Sequence, residues 1–381
     1  MNNLSPDLND SYNGRLRELD GWRAVSVLLV VIHHIAGYQH ARMLSRFPGL
    51  TSVVHYMGPL GVSVFFVISG FVICRLLISE EKRYGSVSLK SFYCRRACRI
   101  LPPLCFYLLA LSLLLCVGLI HEDRRAIFGA ALFLRDLPIG PKSWFVGHTW
   151  SLAVEEQFYL IFPTAWVIAS KERRSQIFFA TYFLCVAWNL YVSYTDWNPL
   201  ASRAIWEGFA CISCGVMIAI HEGRVRKAAN GIPLFFVALV ALVLLVHPID
   251  SKSWQTTLFE CLFVPPAIGL VLFSSMERKT WLQKLLCCRP LQAIGVTSYG
   301  VYLWQQLFTA PVRGNFSRSG EIITSLLPIL CLVVPLSYFL VEKPAIRYGK
   351  QLSQRMRKAS SGLKLDTETM PFVVAANRIE E

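Results

Sequence analysis

An arginine and a histidine in the first apolar stretch have the spacing of two residues on one helical face. Arg23 and His34 are eleven positions apart, and eleven residues of α-helix turn through about 1,100°, within about 20° of three full turns, with a rise of about 16 Å. His33 is turned about 100° away from that face. Ionisable groups are costly inside a bilayer and commonly mark function, and a neutral imidazole at position 34 could remove a proton from an acceptor hydroxyl. The alternative is an arginine that anchors the helix end and a histidine at the membrane interface.

Two adjacent carboxylates enter another apolar stretch. Glu155 and Glu156 follow Ser151, and Ser151 and Glu155 are four residues apart, so these two face the same side of a helix. A carboxylate at that depth must be neutral, paired with an arginine or wetted by a cavity. We expect Glu155 to pair with an arginine or to orient a histidine. The alternative is a buried ion pair that only holds helices together.

Three arginines precede a third apolar stretch. Arg96 and Arg99 are three residues apart, and Arg95 and Arg99 are four apart, so the three lie close together on a helix. Guanidinium groups bind oxyanions in bidentate fashion, so this group would suit the phosphates of coenzyme A. The alternative is the positive charge that anchors any cytoplasmic loop.

Two other stretches are more ordinary for a membrane helix. Residues 61–71 combine glycines with Ser69, and small residues let membrane helices approach each other closely, so helix packing is the favoured interpretation there. Residues 294–305 include Tyr299 and end at Gln305. Tyrosine and tryptophan near helix ends commonly form interface belts.

Composition places these residues in a membrane protein. The 381 residues are 54% hydrophobic and 16% charged, and the net charge of +14 comes from short basic clusters between apolar runs. Such clusters favour membrane topology over nucleic-acid binding, which needs a soluble basic face. The twelve cysteines lie in apolar runs or basic loops, so we expect free thiols. One pair has a C-x-x-C spacing without a second pair, so we predict no metal site.

The apolar runs predict an all-α integral membrane protein with about ten transmembrane helices. With both termini cytoplasmic, 28 of the 38 Lys and Arg residues fall on the inner side, as the positive-inside rule requires. We divide the chain into a cytoplasmic N-terminal segment (1–22), a membrane domain (23–348) and a basic, disordered cytoplasmic tail (349–381). The predicted spans are 23–40, 58–79, 100–120, 148–170, 177–195, 203–220, 231–248, 257–276, 291–311 and 321–342.

Taken together, these motifs resemble the acyltransferase-3 family. Arg23 and His34 match its opening Leu-Asp-Gly-x-Arg motif, which includes Asp20, and the histidine eleven residues later. Arg96 and Arg99 match its Arg-x-x-Arg motif. The remaining matches are the stretches 61–71, 150–159, 298–304 and 342–344. Where the family commonly has histidine after Tyr-Leu-Trp, this chain has Gln305, so position 305 is not expected to carry a proton.

The resemblance implies a membrane O-acyltransferase that moves an acyl group, typically acetyl, from acyl-CoA to a hydroxyl of an exported carbohydrate or lipid-linked glycan. It implies a catalytic role for His34, as general base or transient acyl carrier, with Arg23 and Glu155 organising the site. Coenzyme A phosphates would bind the three arginines. The other polar site residues are expected to be Asp20, Ser69, Ser151, Glu156 and Tyr299.

Such an enzyme would reside in a bacterial cytoplasmic (inner) membrane and modify lipopolysaccharide, exopolysaccharide or a similar acceptor. Some relatives carry an esterase-like hydrolase domain, so a separate hydrolase-like partner would fit. Direct transfer and an acyl-enzyme both stay open. The rival hypothesis is a multi-pass transporter or flippase of a glycan or glycolipid, although no repeated halves are evident in the sequence. An acyltransferase-like receptor or scaffold without activity is a second rival.

Overall fold

The protein is described by a computed structural model for residues 16–36, 46–137, 141, 143–195, 203–246, 254–277, 280–311, 315 and 327–361. All regular elements in this part of the chain are helices. The α-helices are α1 Arg17–His34, α2 Pro48–Tyr84, α3 Leu89–Cys116, α4 Arg124–Ala131, α5 Thr149–Ile168, α6 Lys171–Thr195, α7 Arg203–Ile220, α8 Glu222–Gly231, α9 Leu234–Val246, α10 Trp254–Leu262, α11 Val264–Glu277, α12 Trp281–Leu286, α13 Arg289–Val296, α14 Ser298–Thr309, α15 Leu330–Ser337 and α16 Lys343–Ser361. A 3₁₀ turn (Leu327–Ile329) precedes α15, and a π-helical turn (Tyr338–Glu342) joins α15 to α16.

The all-α class and the multi-pass membrane character are confirmed. Within the described ranges, five helices are long and apolar enough to cross a membrane, and a sixth span results if α7 and α8, bent by 92°, are taken together. Ten spans and the orientation of the termini stay predictions. Helix α1 is not counted as a membrane span because its 18 residues include four charged side chains. Helix α5 is not counted either, and it carries the adjacent residues Glu155 and Glu156. Two helices with candidate site residues, α1 and α5, are thus too polar to be counted, whereas α3, which carries the three arginines, is among the five.

Close helix crossings at small residues hold α1, α2 and α7 together. A Cβ atom on Gly70 would lie 2.0 Å from the carbonyl oxygen of Ile212, and one on Gly215 would lie 2.1 Å from that of Val67. Gly61 similarly faces the backbone of α1. Glycine is needed at these positions because any side chain would push the backbones apart. The stretch 61–71 thus serves helix packing, as expected, in addition to carrying Ser69.

The C-terminal helix α16 packs against α3. Ser91 Oγ donates a hydrogen bond to the Ser353 carbonyl at 3.2 Å, and Arg95 bonds both Ser353 Oγ and Glu80, each at 2.7 Å. Arg357 also pairs with Glu80. Residues 349–361 therefore correct the prediction of a disordered tail from 349 onward, because they continue this helix; residues 362–381 lie outside the described part. At the other end, α1 begins at Arg17, inside the predicted N-terminal segment (1–22).

Candidate active site

Two cavities lie side by side in the helical bundle. One, here called the arginine cavity, has a volume of about 300 Å³; the other, the histidine cavity, has about 380 Å³. Val62, Phe66 and Tyr302 line both, so they form the wall between them. The ionisable and hydroxyl residues of the arginine cavity are Arg23, Ser69, Arg95, Arg96, Arg99, Ser151, Glu155, Tyr159, Ser298, Tyr299, Tyr302 and Lys350. Those of the histidine cavity are His33, His34, Ser63, His148, Glu207, Cys211 and Tyr302.

The three arginines predicted to bind phosphates have different partners in the structure. Arg95 reaches the cavity, but its guanidinium is held by Glu80 and Ser353 in the contact between α3 and α16. Arg96 lies over the ring of Tyr159, 4.0 Å from the centroid, in a cation–π contact. Arg99 is half-buried and has Arg23 among its charged neighbours. Arg96 and Arg99 are therefore better placed than Arg95 to meet an anion in this cavity.

Arg23 and Glu155 both line the arginine cavity, but each has its own partner. Arg23 Nη1 lies 3.2 Å from Asp20 Oδ1. Glu155 accepts a hydrogen bond from Ser69 Oγ at 2.5 Å and another from the Tyr159 hydroxyl. In place of an arginine or a histidine, Glu155 thus has two hydroxyl donors, which satisfy the oxygens of this half-buried carboxylate by hydrogen bonding and supply no opposite charge.

Tyr302 joins the dividing wall to the entry of α5. Its hydroxyl donates to the carbonyl of His148 at 2.7 Å, and Ser151 Oγ lies 2.5 Å from the same hydroxyl. Both hydroxyls face this carbonyl, but Tyr302 is the nearer, since Ser151 Oγ lies 3.4 Å from it; Tyr302 therefore donates to the carbonyl and Ser151 donates to Tyr302. The wall between the cavities is therefore fixed by two hydrogen bonds.

His34 presents one ring nitrogen to the histidine cavity. Its Nδ1 lies 2.8 Å from the Val30 carbonyl, and a carbonyl only accepts, so Nδ1 carries the proton. Neutral imidazole then has its lone pair on Nε2. Gln306 Oε1 accepts the backbone N–H of His148 at 3.1 Å, which leaves the Gln306 amide nitrogen, 3.4 Å from His34 Nε2, as a donor to that lone pair.

Two aromatic contacts and a second histidine complete this pocket. The Trp144 ring meets the His34 ring edge-on at 5.7 Å, and its Nε1 donates to the Gln306 carbonyl at 3.0 Å. His148 is 4% exposed and packs against Tyr302 at 5.2 Å between ring centroids. The chain thus places two histidines, contributed by α1 and by the turn before α5, on the same cavity.

His33 also reaches the histidine cavity, although its helical position is turned from that of Arg23. Its Nδ1 lies 3.1 Å from the Val54 carbonyl. A Cβ atom on Gly58 would come within 2.6 Å of the His33 ring, so glycine at position 58 makes room for it. The helical-face argument separates His33 from Arg23, but it does not remove His33 from the cavity.

The remaining predicted residues occupy different places. Tyr299 lines the arginine cavity and donates to the Ile100 carbonyl at 3.0 Å. Asp20 supports Arg23 from a buried position. Glu156 is a charged neighbour of Arg96 and lies outside both linings. Gln305 is fully buried, accepts from Thr309 at 3.3 Å and lies outside both cavities.

Sequence reasoning missed His148, Gln306 and Lys350. His148 lies two residues before the motif that begins at Trp150, and Gln306 follows the position noted for its departure from the family. Only the packing of α14 against α1 and the α5 entry reveals that these residues meet. Within the described ranges, no three His, Cys, Asp or Glu side chains are arranged to hold a metal ion.

The chain is similar to several proteins that are named as acyl-transferring enzymes. The chain is 26% identical over 380 residues to the putative peptidoglycan O-acetyltransferase YrhL of Bacillus subtilis, covering 89% of this chain and 56% of the relative. It is 28% identical over 381 residues to the putative membrane-bound transacylase BcsY of Komagataeibacter xylinus, covering 93% and 89%. It is 28% identical over 367 residues to putative O-acetyltransferases of Staphylococcus aureus, covering 87% and 57%. The chain thus spans little more than half the length of the Bacillus and Staphylococcus relatives.

No solved structure matches the chain. The family model described as an acyltransferase domain matches residues 16–342. That range includes every predicted site residue and both cavities except the part contributed by α16. The chain therefore belongs to the acyltransferase-3 family, and its helices are those of a multi-pass membrane protein.

Proposed function

We propose that this protein transfers an acyl group, acetyl in the first place, from acyl-CoA to a hydroxyl of an exported carbohydrate. The observation that carries the proposal is the shared wall of Val62, Phe66 and Tyr302 between a cavity rich in arginine and a cavity with His34. A donor with phosphates and an acceptor with hydroxyls would meet at this wall. Family membership supports the acyl-transfer chemistry.

The arginine cavity is the proposed donor site. Coenzyme A carries a diphosphate and a 3′-phosphate, and guanidinium groups bind phosphate oxygens in bidentate fashion. Arg96 and Arg99 would contact these oxygens, while Arg95 would hold the cavity edge through Glu80 and Ser353. The acyl-pantetheine arm would then extend toward Tyr302 and pass the wall to reach His34.

The histidine cavity is the proposed site of the reaction. His34 Nε2 takes the proton of the acceptor hydroxyl as the hydroxyl oxygen attacks the thioester carbonyl. The carbon–sulfur bond breaks, the new oxygen ester forms, and the proton passes from His34 to the departing thiolate to give coenzyme A. An acyl group carried briefly by His34 Nε2 would give the same products in two steps. In either route, Arg23 and Glu155 organise the polar groups on the donor side of the wall.

The acceptor is proposed to be a cell-envelope glycan. The Bacillus relative is named for peptidoglycan O-acetylation, and lipopolysaccharide or exopolysaccharide would present similar hydroxyls. Aromatic Trp144 and Trp150 with the carboxylate of Glu207 near the same pocket suit a polar acceptor with apolar faces. We place the enzyme in a bacterial cytoplasmic membrane, with the arginine cavity on the cytoplasmic side, and a separate hydrolase-like protein would be a fitting partner.

A transporter or flippase would also present polar cavities within a helical bundle. The match of residues 16–342 to an acyltransferase family and the acyltransferase names of the relatives favour the enzyme. An inactive receptor or scaffold would have no need for a histidine with its Nε2 lone pair directed into a cavity beside the arginine cavity. Both rivals predict no transfer from an acyl-CoA donor.

The test uses membranes from cells with and without the full chain, supplied with acetyl-CoA labelled in the acetyl group. Label should enter a glycan fraction and be released by mild base, because oxygen esters are base-labile whereas amides are not. The matched control is the His34→Gln chain, which keeps side-chain polarity but lacks a comparable base. Absence of base-labile label above the empty membranes would rule out the proposed transfer to their glycans.

A further inference from the structure

Helix α16 supplies part of the arginine cavity although it lies beyond the region matched to the family. The match ends at residue 342, and α16 begins at Lys343. Two of its side chains, Ile346 and Lys350, line the cavity together with Arg96 and Arg99. The donor site proposed above is therefore incomplete without this helix.

The position of Lys350 is fixed by the packing of its own helix. Gly349, the residue before Lys350, is buried against α3. A Cβ atom added to Gly349 would lie 2.6 Å from the Cβ atom of Cys98. One turn further on, Ser353 is held by Arg95 and by Ser91. Contacts on both sides of Lys350 thus hold the backbone at the cavity.

The charges that line the cavity are strongly unequal. Its lining contains five basic residues, and the one acidic residue in it is Glu155, which is already bonded to Ser69 and Tyr159. Arg95 has a carboxylate partner in Glu80. For Lys350, no carboxylate of the described residues lies within 4.0 Å of its nitrogen. An exposed ammonium without such a partner, at the edge of a basic cavity, is available to an incoming anion.

We propose that Lys350 binds the 3′-phosphate of the coenzyme A donor at the mouth of the arginine cavity, so that α16 is part of the donor site. Lys350 is exposed whereas Arg99 is half-buried, so the nucleotide end lies at Lys350 and the acyl end points inward. A lysine ammonium acts as a compact point charge on a terminal phosphate. The inference rests on the proposed function, because it assumes a coenzyme A donor.

The experiment measures equilibrium binding to the full chain in nanodiscs of phosphatidylcholine. This lipid is zwitterionic, so no headgroup with a net negative charge competes with the probe. The probes are acetyl-CoA and acetyl-3′-dephospho-CoA, measured by calorimetry. Wild type should bind acetyl-CoA more tightly. Lys350→Gln should weaken acetyl-CoA binding by about tenfold, the equivalent of one charge-assisted contact, and leave the dephospho analogue unchanged. Lys350→Arg should still bind acetyl-CoA more tightly than the dephospho analogue. Lys350→Glu should lose more acetyl-CoA affinity than Lys350→Gln does.

Arg347→Gln is the matched control, because Arg347 is an exposed basic residue of the same helix that does not line the cavity. It should bind both probes like wild type. Equal affinities of wild type and Lys350→Gln for acetyl-CoA would overturn the inference and leave the proposed function standing. Parallel weakening of both probes would also overturn it, since the effect would not depend on the 3′-phosphate.

The same phosphate chemistry could come from a lipid headgroup. If Lys350 instead holds a lipid phosphate, Lys350→Gln would match wild type in phosphatidylcholine and differ from it only in phosphatidylglycerol nanodiscs, which overturns the inference. Failure of wild type to bind either probe would remove the donor assignment of the proposed function, and the inference with it.

Discussion

Gln306 connects His34 to the backbone of His148: its Oε1 accepts the His148 N–H at 3.1 Å, and its Nε2 lies 3.4 Å from His34 Nε2. The backbone N–H requires an acceptor, so the amide oxygen must face it. The amide nitrogen therefore faces His34, whose Nδ1 is committed to the Val30 carbonyl. This arrangement keeps the lone pair on Nε2, the nitrogen that a base must offer to the acceptor.

Replacing the Gln306 amide with an apolar side chain of similar size should therefore reduce transfer, and because it also removes the acceptor of the His148 N–H, the thermal midpoint is measured beside the rate. Gln306→Met is expected to lower kcat by about tenfold, the value of one orienting hydrogen bond, while donor affinity stays unchanged. The matched control is Gln305→Met, one position earlier, where the side chain lies outside both cavities. Steady-state transfer assays check both variants, and equal rates for the two would remove Gln306 from the mechanism.

Arg95 and Arg99 should have separable roles although they lie one helical turn apart. Arg95→Gln removes a bond between Arg95 and Glu80 and should lower the free energy of unfolding by about 1.5–3 kcal/mol, read as a lower thermal midpoint. Arg99→Gln should instead weaken acetyl-CoA binding at little cost in thermal midpoint. Thermal unfolding and calorimetric binding in the same detergent distinguish them. A reversal of the two phenotypes would contradict the assignment of Arg95 to the contact with α16.

The hydroxyl of Tyr302 should matter for transfer, because it fixes the wall between the two cavities. Tyr302→Phe loses the hydroxyl that bonds the His148 carbonyl and Ser151, so the wall should loosen and transfer should fall by about tenfold. Binding of acetyl-CoA should change little, because the arginines are untouched. Tyr182→Phe is the control, since its hydroxyl also donates to backbone carbonyls but lies outside both cavities. If both variants lose activity equally, the loss reflects helix packing in general, and Tyr302 has no specific role at the wall.

Gly58 gives a steric test of the histidine cavity. Gly58→Ala places a methyl group 2.6 Å from the present position of the His33 ring, which must then move within the cavity. We expect a several-fold rise in KM for the acceptor with donor binding intact. Gly223→Ala is the control, because no atom lies within 4 Å of the added Cβ and alanine suits a helix. Acceptor saturation curves for the two variants decide the matter, and an unchanged KM in Gly58→Ala would exclude His33 from the acceptor side.

Much of the helical architecture follows from the sequence, because long apolar runs between basic clusters leave few alternatives in a bilayer. The helical period also places Arg23 and His34 on one face of α1. The structure adds that they line separate cavities on either side of Tyr302. That separation depends on how α14 packs between α1 and α5, which no local pattern contains.

At two places the structure differs from the sequence interpretation or adds to it, and each has a specific physical cause. The tail from residue 349 was expected to be disordered because it is polar and basic. Yet Ser353 and Gly349 recur on one face of a helix that packs against α3. For Glu155 the sequence left three states open, a neutral carboxyl, a pair with an arginine or contact with a wet cavity, and the residue lines the arginine cavity with Ser69 and Tyr159 as its hydrogen-bond donors. Ser69 lies on the neighbouring helix α2 and Tyr159 one turn further along α5, and a count of charged residues includes neither of these hydroxyl donors.

The most direct test of the central claim is label transfer from acetyl-CoA to glycan hydroxyls by the full chain with His34→Ala, compared with His33→Ala. The two residues are neighbours in the chain and both line the histidine cavity, but only His34 is bonded so that Nε2 faces Gln306. We predict that His34→Ala lowers transfer by about 10²–10⁴-fold, the contribution of a general base, and that His33→Ala retains transfer. Transfer by His34→Ala at the wild-type rate would contradict the account.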